Sequence, residues 1–394
     1  MKILDIVHKI ARLRHPVKHY TCFAIARFIC LFLQIKTNKF FCISMNGNGY
    51  GCNVKAFADY AKNFVGENNV VWAFSPTYFK RIDITQKVQI YSIAYYVQLM
   101  TSRVIVSNQR FTKQLLPVKK NNQFYIQFWH GTALKRIEAD IPDLPNPYKK
   151  RAVWDSSLID VFFSGSSFMS SIYRSSFWYK GPVVEIGTPR NDVFFANNES
   201  LREKVFSSLG ISLRKKIVLY APTFRSNLSL EGYQFNSELF ISLLQKKLGG
   251  EWLLVVRLHP NLLNKKRSIE KIRQMYPNAV DGSTYFDMQE LLAVSDCLLT
   301  DYSSSMFDYA CTKNPCFLYT PDMNEYDRGF YDITKNNLPF PCFTDEKSMS
   351  VTIESFEYQE YKDRVEEYLK LIGNKEDGHA AKSAFQYVQE KLGF

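Results

Sequence analysis

The stretch QFYIQFWHGTALKRI, residues 123–137, is aromatic and apolar up to Trp129, then breaks at His130 and Gly131 into a basic, helix-like segment. A short apolar run ended by such a break reads as a buried strand whose C-terminal end presents His130. Similar runs lie on both sides of it. FFCIS (40–44), VVWAF (70–74), VIVS (104–107), VFFS (161–164) and VVEIG (183–187) read as strands, with helical segments at NVKAFADYAKNF (53–64) and AYYVQLMTS (94–102). Strands alternating with helices make βα units and a mostly parallel sheet. After a polar, charged passage near 196–215 the theme repeats in KIVLYAP (216–222), WLLVVRLHP (252–260), CLLT (297–300) and CFLY (316–319). The expected architecture is α/β: a basic segment 1–40, an α/β domain 41–200, and a second α/β domain 201–394 closed by a C-terminal helix. A cleft is expected between the two domains.

At 394 residues the chain is longer than one core usually grows, which agrees with two domains. With 46% hydrophobic residues it can fill two cores and is not a disordered chain. A formal charge of +12 points to anionic partners, such as a phosphorylated substrate, nucleic acid or an acidic membrane. Nucleic acid is disfavoured because the aromatic residues concentrate in strands and are not interleaved with surface lysines. The eight cysteines form no CxxC pair and lie mostly in apolar segments, so they read as reduced core residues of a cytosolic protein. The first forty residues carry Lys2, Lys9, Arg12, Arg14, Lys18, Arg27, Lys36 and Lys39 against the single acid Asp5. Mixed with Ile, Leu and Phe, they suggest an amphipathic segment lying on an anionic membrane face, the alternative being a helix packed on its own domain with a solvated basic face. CFAIARFICLFL is too short to span a bilayer.

In open α/β sheets, ligands collect at the carboxyl ends of the strands, so the polar residues that follow strands are the candidates. These are NGNGYGCN after FFCIS, HGT after YIQFW, GTPRND after VVEI, PTFR after IVLYA, RLHP after LLVV, and TDYSSSMFDY after CLL. Of six histidines, only His130 and His259 stand at strand ends, one in each half, where imidazole can act as a base or a proton-bearing partner. Ser303, Ser304 and Ser305 open a helix after a buried strand; free N–H groups with hydroxyls there suit phosphate, while Ser303 or Ser304 could equally serve only to cap the helix. Asp301 and Asp308 either contact a ribose or base or are solvated. Arg190, Arg225, Arg257 and Arg328 supply guanidinium forks for a nucleoside diphosphate. NGNGYGCN has G-x-G-x-G spacing, and the next strand ends in Ser75 and Pro76 where a nicotinamide site would place an acid. It is read as a tight turn touching substrate, with Asn48 and Asn53 on the acceptor side. There is no GxxxxGK[ST], G-x-S-x-G, HExxH or DxD motif, so no metal and no cofactor is expected.

Taken together, NGYGCNVKAF, QFWHGTALKRI, FFSGSSFMSSIYRSSF, EIGTPRNDVFF, YAPTFR, RLHP, LTDYSSSMFDYA and EYDRGFYD resemble the CDP-glycerol glycerophosphotransferases of teichoic acid synthesis. That resemblance implies a GT-B-like fold of two Rossmann-like domains facing a central cleft. It implies His130 as catalytic base and His259 as a second essential histidine. Donor contacts would come from Gly131, Thr132, Ala133, Leu134, Arg190, Thr223, Arg257, Ser303, Ser304 and Asp308. The chain has Thr188 where the family commonly has an aromatic residue, and Ala133 where proline is usual. The implied reaction transfers a polyol phosphate, glycerol or ribitol, from a CDP-alcohol to a lipid-linked saccharide or growing polyol-phosphate chain at the cytoplasmic membrane face. A related capsule polymerase, a glycosyltransferase of the same fold using a nucleotide sugar, and a non-catalytic nucleotide- or membrane-binding protein are the competing readings. The reading leaves room for a homo-oligomer.

Overall fold

The computed structural model describes residues 15–111, 119–223, 234–258, 270, 273–322, 329–333 and 337–393. These residues form two compact units. The first combines the chain up to His130 with Glu138–Asp192 and the stretch from Lys375 onward. It holds β1 (Lys36–Ile43), β2 (Val70–Phe74), β3 (Lys87–Gln89), β4 (Ser102–Ser107), β5 (Phe124–Gln127), β6 (Val161–Ser164) and β7 (Val183–Glu185). They pair in the order β3-β2-β1-β4-β5-β6-β7, all parallel. VVWAF and VFFS are buried at every residue because helices cover both sheet faces. The helix Cys52–Val65 turns Val54, Phe57, Ala58 and Ala61 inward at i, i+3, i+4, i+7 spacing. Phe57 packs with Phe40, Phe128 and Phe385. Truncating such a buried ring to alanine costs about 3–5 kcal/mol.

The second unit joins Gly131–Ile137 to Val193–Asn374. Its strands are β8 (Lys216–Tyr220), β9 (Trp252–Val256), β10 (Val280–Asp281), β11 (Cys297–Thr300), β12 (Cys316–Tyr319) and β13 (Cys342–Phe343). The order is β10-β9-β8-β11-β12-β13, again all parallel. Each sheet therefore reverses direction of growth beside its first strand: between β1 and β4 in the first unit, between β8 and β11 in the second.

Three boundaries differ from the sequence reading. The chain changes unit at Asp192–Val193 and not at 200. The helix Ala380–Leu392 returns to the first unit, because Ala384, Phe385 and Val388 belong to that core and Phe385 stacks on Phe64 at 4.8 Å. The segment after Gly131 is not helical: Arg136 N–H donates to Gly329 O at 2.8 Å and Tyr331 N–H to Leu134 O at 3.1 Å, so it runs beside residues 329–331 of the second unit. Lys39, counted in the basic leader, is a buried residue of β1 whose ammonium donates to Gln98 Oε1. Of the leader, the structure describes the helix His15–Ile29, which buries Cys22 and Ala26 and sets Phe23 against Tyr96 at 5.3 Å. Among the described residues no helix is long and apolar enough to cross a membrane.

Candidate active site

The switch point of the first sheet is built from three strand ends. After β4, Asn108 is completely buried. Its Oδ1 accepts from Met45 N at 2.9 Å, its Nδ2 donates to Ser44 Oγ at 3.3 Å, and its main-chain oxygen lies 2.8 Å from His130 Nδ1. A carbonyl only accepts, so this contact places the imidazole proton on Nδ1 and leaves Nε2 with its lone pair. His130 follows Trp129, which has φ +55, a left-handed backbone that costs a bulky residue about 1–2 kcal/mol. The strained turn is held by Gln127 Oε1, which accepts from Trp129 N at 3.0 Å, and by Phe177, edge-on to the Trp129 ring at 4.7 Å. The His130 pKa is lowered to about 4, first by burial and then by the positive charge of Arg190, with the Asn108 bond opposing both. At neutral pH the ring is an unprotonated base.

Asn53 ties this turn to the next strand end. It is 1% exposed; its Nδ2 donates to Trp129 O at 3.0 Å, and its Oδ1 accepts from Arg190 N at 3.1 Å. Arg190 is itself buried, with a guanidinium nitrogen 3.7 Å from Cys52 Sγ. Beyond Arg190, Asn191 Nδ2 donates to Glu376 Oε1 at 3.1 Å, and Glu376 Oε2 accepts from Thr188 N at 2.9 Å. Asp192 receives Ala380 N and Ala381 N, both at 2.9 Å, and so caps the final helix. The PRND run is thus a junction: Arg190 stands beside His130, and its neighbours moor the end of the chain.

The second unit has a parallel arrangement at its own switch point. Asp301, directly after β11, is buried and accepts Thr223 N at 2.8 and 3.0 Å on its two oxygens, and the Thr223 hydroxyl as well. Ser303 Oγ accepts from Ser305 N at 3.3 Å and lies 2.9 Å from Ser305 Oγ. The helix that follows, Ser305–Tyr309, is only five residues long, so the N–H groups and hydroxyls of the serine turn outweigh any dipole. Gly131 lies against this turn: a methyl group there would stand 2.8 Å from Ser304 Oγ. Asp308 is buried and accepts from Gln289 Nε2 at 3.0 Å. The Arg257 guanidinium donates to the carbonyls of Tyr285, at 2.5 Å, and Gly282, at 3.4 Å.

Comparison with known proteins places the chain in a family. Residues 25–390 match the model of CDP-glycerol:poly(glycerophosphate) glycerophosphotransferases. The chain belongs to this glycerophosphotransferase family. It is 31% identical over 366 residues to the teichoic acid poly(glycerol phosphate) polymerase of Staphylococcus epidermidis, covering 89% of this chain and 49% of that one. It thus spans about half the length of that relative. It is 27% identical to the teichoic acid glycerol-phosphate transferase of Staphylococcus aureus, covering 88% of this chain and 91% of that one. A variant of the wall teichoic acid polymerase TagF soaked with CDPG superimposes with a TM-score of 0.80 at 28% identity, over 100% of this chain and 97% of that one. A UDP-N-acetylglucosamine 2-epimerase of Listeria monocytogenes, at 12% identity and a TM-score of 0.52 over 91% of this chain and 97% of that one, shares the fold alone.

Within this chain the expected site residues sort by what their polar atoms touch. His130, Arg190 and Asn53 come together in the first unit; Gly131, Ser303 and Ser304 in the second. Asn53 is not on an open acceptor surface but is a buried clamp, while Asn48 is exposed at the end of the turn Met45–Gly47. Asp301 and Asp308, read as ribose or base contacts, bond Thr223 and Gln289 and so hold their own loops. Ala133 and Leu134 are buried, and Thr132 is partly so. His259, Arg225 and Arg328 lie outside the described residues. Asn108 and Gln109 were missed. Their signal was available, because the polar NQR follows VIVS just as HGT follows YIQFW.

Proposed function

We propose that the chain transfers glycerol phosphate from CDP-glycerol to a hydroxyl of a lipid-linked saccharide or growing polyol-phosphate chain, releasing CMP. The observation that carries this reading is His130: its Nδ1–H is fixed on Asn108 O and its Nε2 is a base. In the proposed step the acceptor hydroxyl gives its proton to Nε2 as its oxygen attacks the β-phosphorus. The bond to the bridging oxygen breaks, and CMP leaves with the electron pair. Phosphoryl transfer of this kind depends on positioning and charge neutralisation. Arg190 beside the base, the serine turn, and His259 and the arginines of the second unit are assigned that role. The relatives named for glycerol-phosphate transfer support glycerol as the transferred polyol.

The acceptor is assigned to a membrane surface. Tyr20, Phe28, Leu31 and Phe32 are 60–75% exposed next to Arg27, a combination that suits peripheral docking on anionic lipid. The deciding experiment is mass spectrometry of the nucleotide released from CDP-glycerol, CDP-ribitol and nucleotide sugars in the presence of a lipid-linked disaccharide. CMP, with the acceptor heavier by one or more glycerol phosphates, is expected. A nucleoside diphosphate released from a sugar donor would replace the proposal with glycosyl transfer.

A further inference from the structure

The turn after β1 is strained in a way its own sequence does not require. Met45 and Asn46 are both left-handed, at φ +49 and +54, and neither is glycine. Asparagine enters this region readily, but Met45 costs on the order of 1–2 kcal/mol there and persists only where surrounding bonds over-determine it. Those bonds come from the residues after β4. Asn108 Oδ1 takes Met45 N at 2.9 Å, and Gln109 Oε1 takes Asn46 Nδ2 at 2.6 Å. Gln109 Nε2 lies 3.2 Å from Met45 Sδ. Ser44 closes the ring: its hydroxyl accepts from Asn108 Nδ2 at 3.3 Å and donates to Gly51 O at 3.0 Å. The same loop then ends in Cys52, at φ +60, and Asn53, whose amide holds Trp129 O. The loop 44–53 therefore grips the His130 turn at two points, through Asn108 at one end and through Asn53 at the other.

We infer that Asn108 is a positioning residue for the transfer reaction: its side chain, locked by Ser44 and the strained Met45, fixes the carbonyl that holds His130 in the Nδ1–H form with Nε2 free. This rests on the reading of His130 as base. Neutral imidazole in water favours the opposite tautomer, with the proton on Nε2, where it could not accept a proton from the acceptor. The strain at Met45 is then the cost of a main-chain acceptor placed under one ring nitrogen. Asn108 would touch neither substrate nor the reacting atoms, so its loss should act on turnover and leave donor affinity alone.

The test observes the ring itself. In protein labelled with 15N-histidine, long-range proton–nitrogen correlations report which nitrogen of each of the six imidazoles carries the proton, and His130→Gln identifies the His130 signal. The wild-type chain is expected to show Nδ1–H at neutral pH. In Asn108→Ala the signal should move to the Nε2–H form, with turnover of CDP-glycerol down about 10- to 100-fold and donor KM within about twofold. Ser44→Ala, which removes one bond to Asn108 and leaves its side chain in place, should move the same way by less. It also serves if Asn108→Ala does not fold, which the other histidine signals will show. An Nε2–H wild-type ring, or an unchanged ring in both variants, overturns the inference. A ring that switches tautomer while turnover stays at the wild-type level shows that Asn108 holds the ring, but removes His130 as the base and overturns the positioning role in transfer.

Discussion

Asn53→Ala tests whether the two ends of the His130 turn are held as described. The wild-type amide makes two good hydrogen bonds, to Trp129 O at 3.0 Å and from Arg190 N at 3.1 Å, and a long one to Phe128 O at 3.5 Å. The residue is 1% exposed, so water cannot replace what alanine removes. Leaving one buried carbonyl and one buried N–H without partners costs about 1–3 kcal/mol per group, and structural relaxation recovers part of it, so a loss of roughly 2–4 kcal/mol is expected. Four of the five tryptophans (Trp72, Trp129, Trp154 and Trp178) lie in the first unit, so urea unfolding followed by tryptophan fluorescence reads that unit preferentially. The transition should move to lower urea at unchanged slope. In addition kcat/KM for CDP-glycerol should fall about 10- to 100-fold, since Trp129 loses one restraint on its left-handed backbone and Arg190 loses its main-chain anchor. A stability change below about 0.5 kcal/mol, the size of an ordinary surface substitution, together with unchanged kcat/KM, would refute the clamp.

Gly47→Ala should destabilise the first unit by about 2 kcal/mol or more in the same unfolding assay, because φ is +83 and the new methyl would lie 2.8 Å from Ser75 N. Gly131→Ala should raise the KM for CDP-glycerol about tenfold by displacing the Ser304 hydroxyl, and Ser304→Gly in the same chain should restore part of the loss relative to Ser304→Gly alone. With the His130 pKa lowered from 6.5 to about 4, kcat/KM should hold its plateau down to about pH 5 and fall with one proton below it. The unfolded chain binds that proton between about pH 4 and 6.5, so stability owed to His130 should rise with pH across this window and be complete above it, as read by the urea midpoint. Asp192→Ala should cost about 1–2 kcal/mol through loss of the cap on Ala380–Leu392 and open that helix to amide hydrogen exchange first.

What could be read from the sequence was what the side chains alone encode. VVWAF, VFFS, CLLT and CFLY are strands with the expected ends, because a parallel strand buried on both faces is a near-continuous apolar run. β3, β10 and β13, with two or three residues each, carry no such run. His130 was legible because an imidazole ending an apolar strand is a chemical statement in itself. The position of Asn108 at a strand end was legible but its role was not, for two reasons: the atom that matters to His130 is a main-chain oxygen, and its side chain answers to Met45, 63 positions away. The two units also show what Asp301 does within the fold. Asn108 and Asp301 occupy the same place, the first residue after the strand beside the central one, and each accepts a main-chain N–H from the loop after that central strand. At a switch point the neighbouring loops part, and the N–H groups exposed there need an acceptor whether or not a ligand is bound. A buried polar residue at this position is therefore first a clamp on the fold. In the proposed reaction the chemistry falls to the groups beside it: the Nε2 of His130 in one unit, the serine turn in the other.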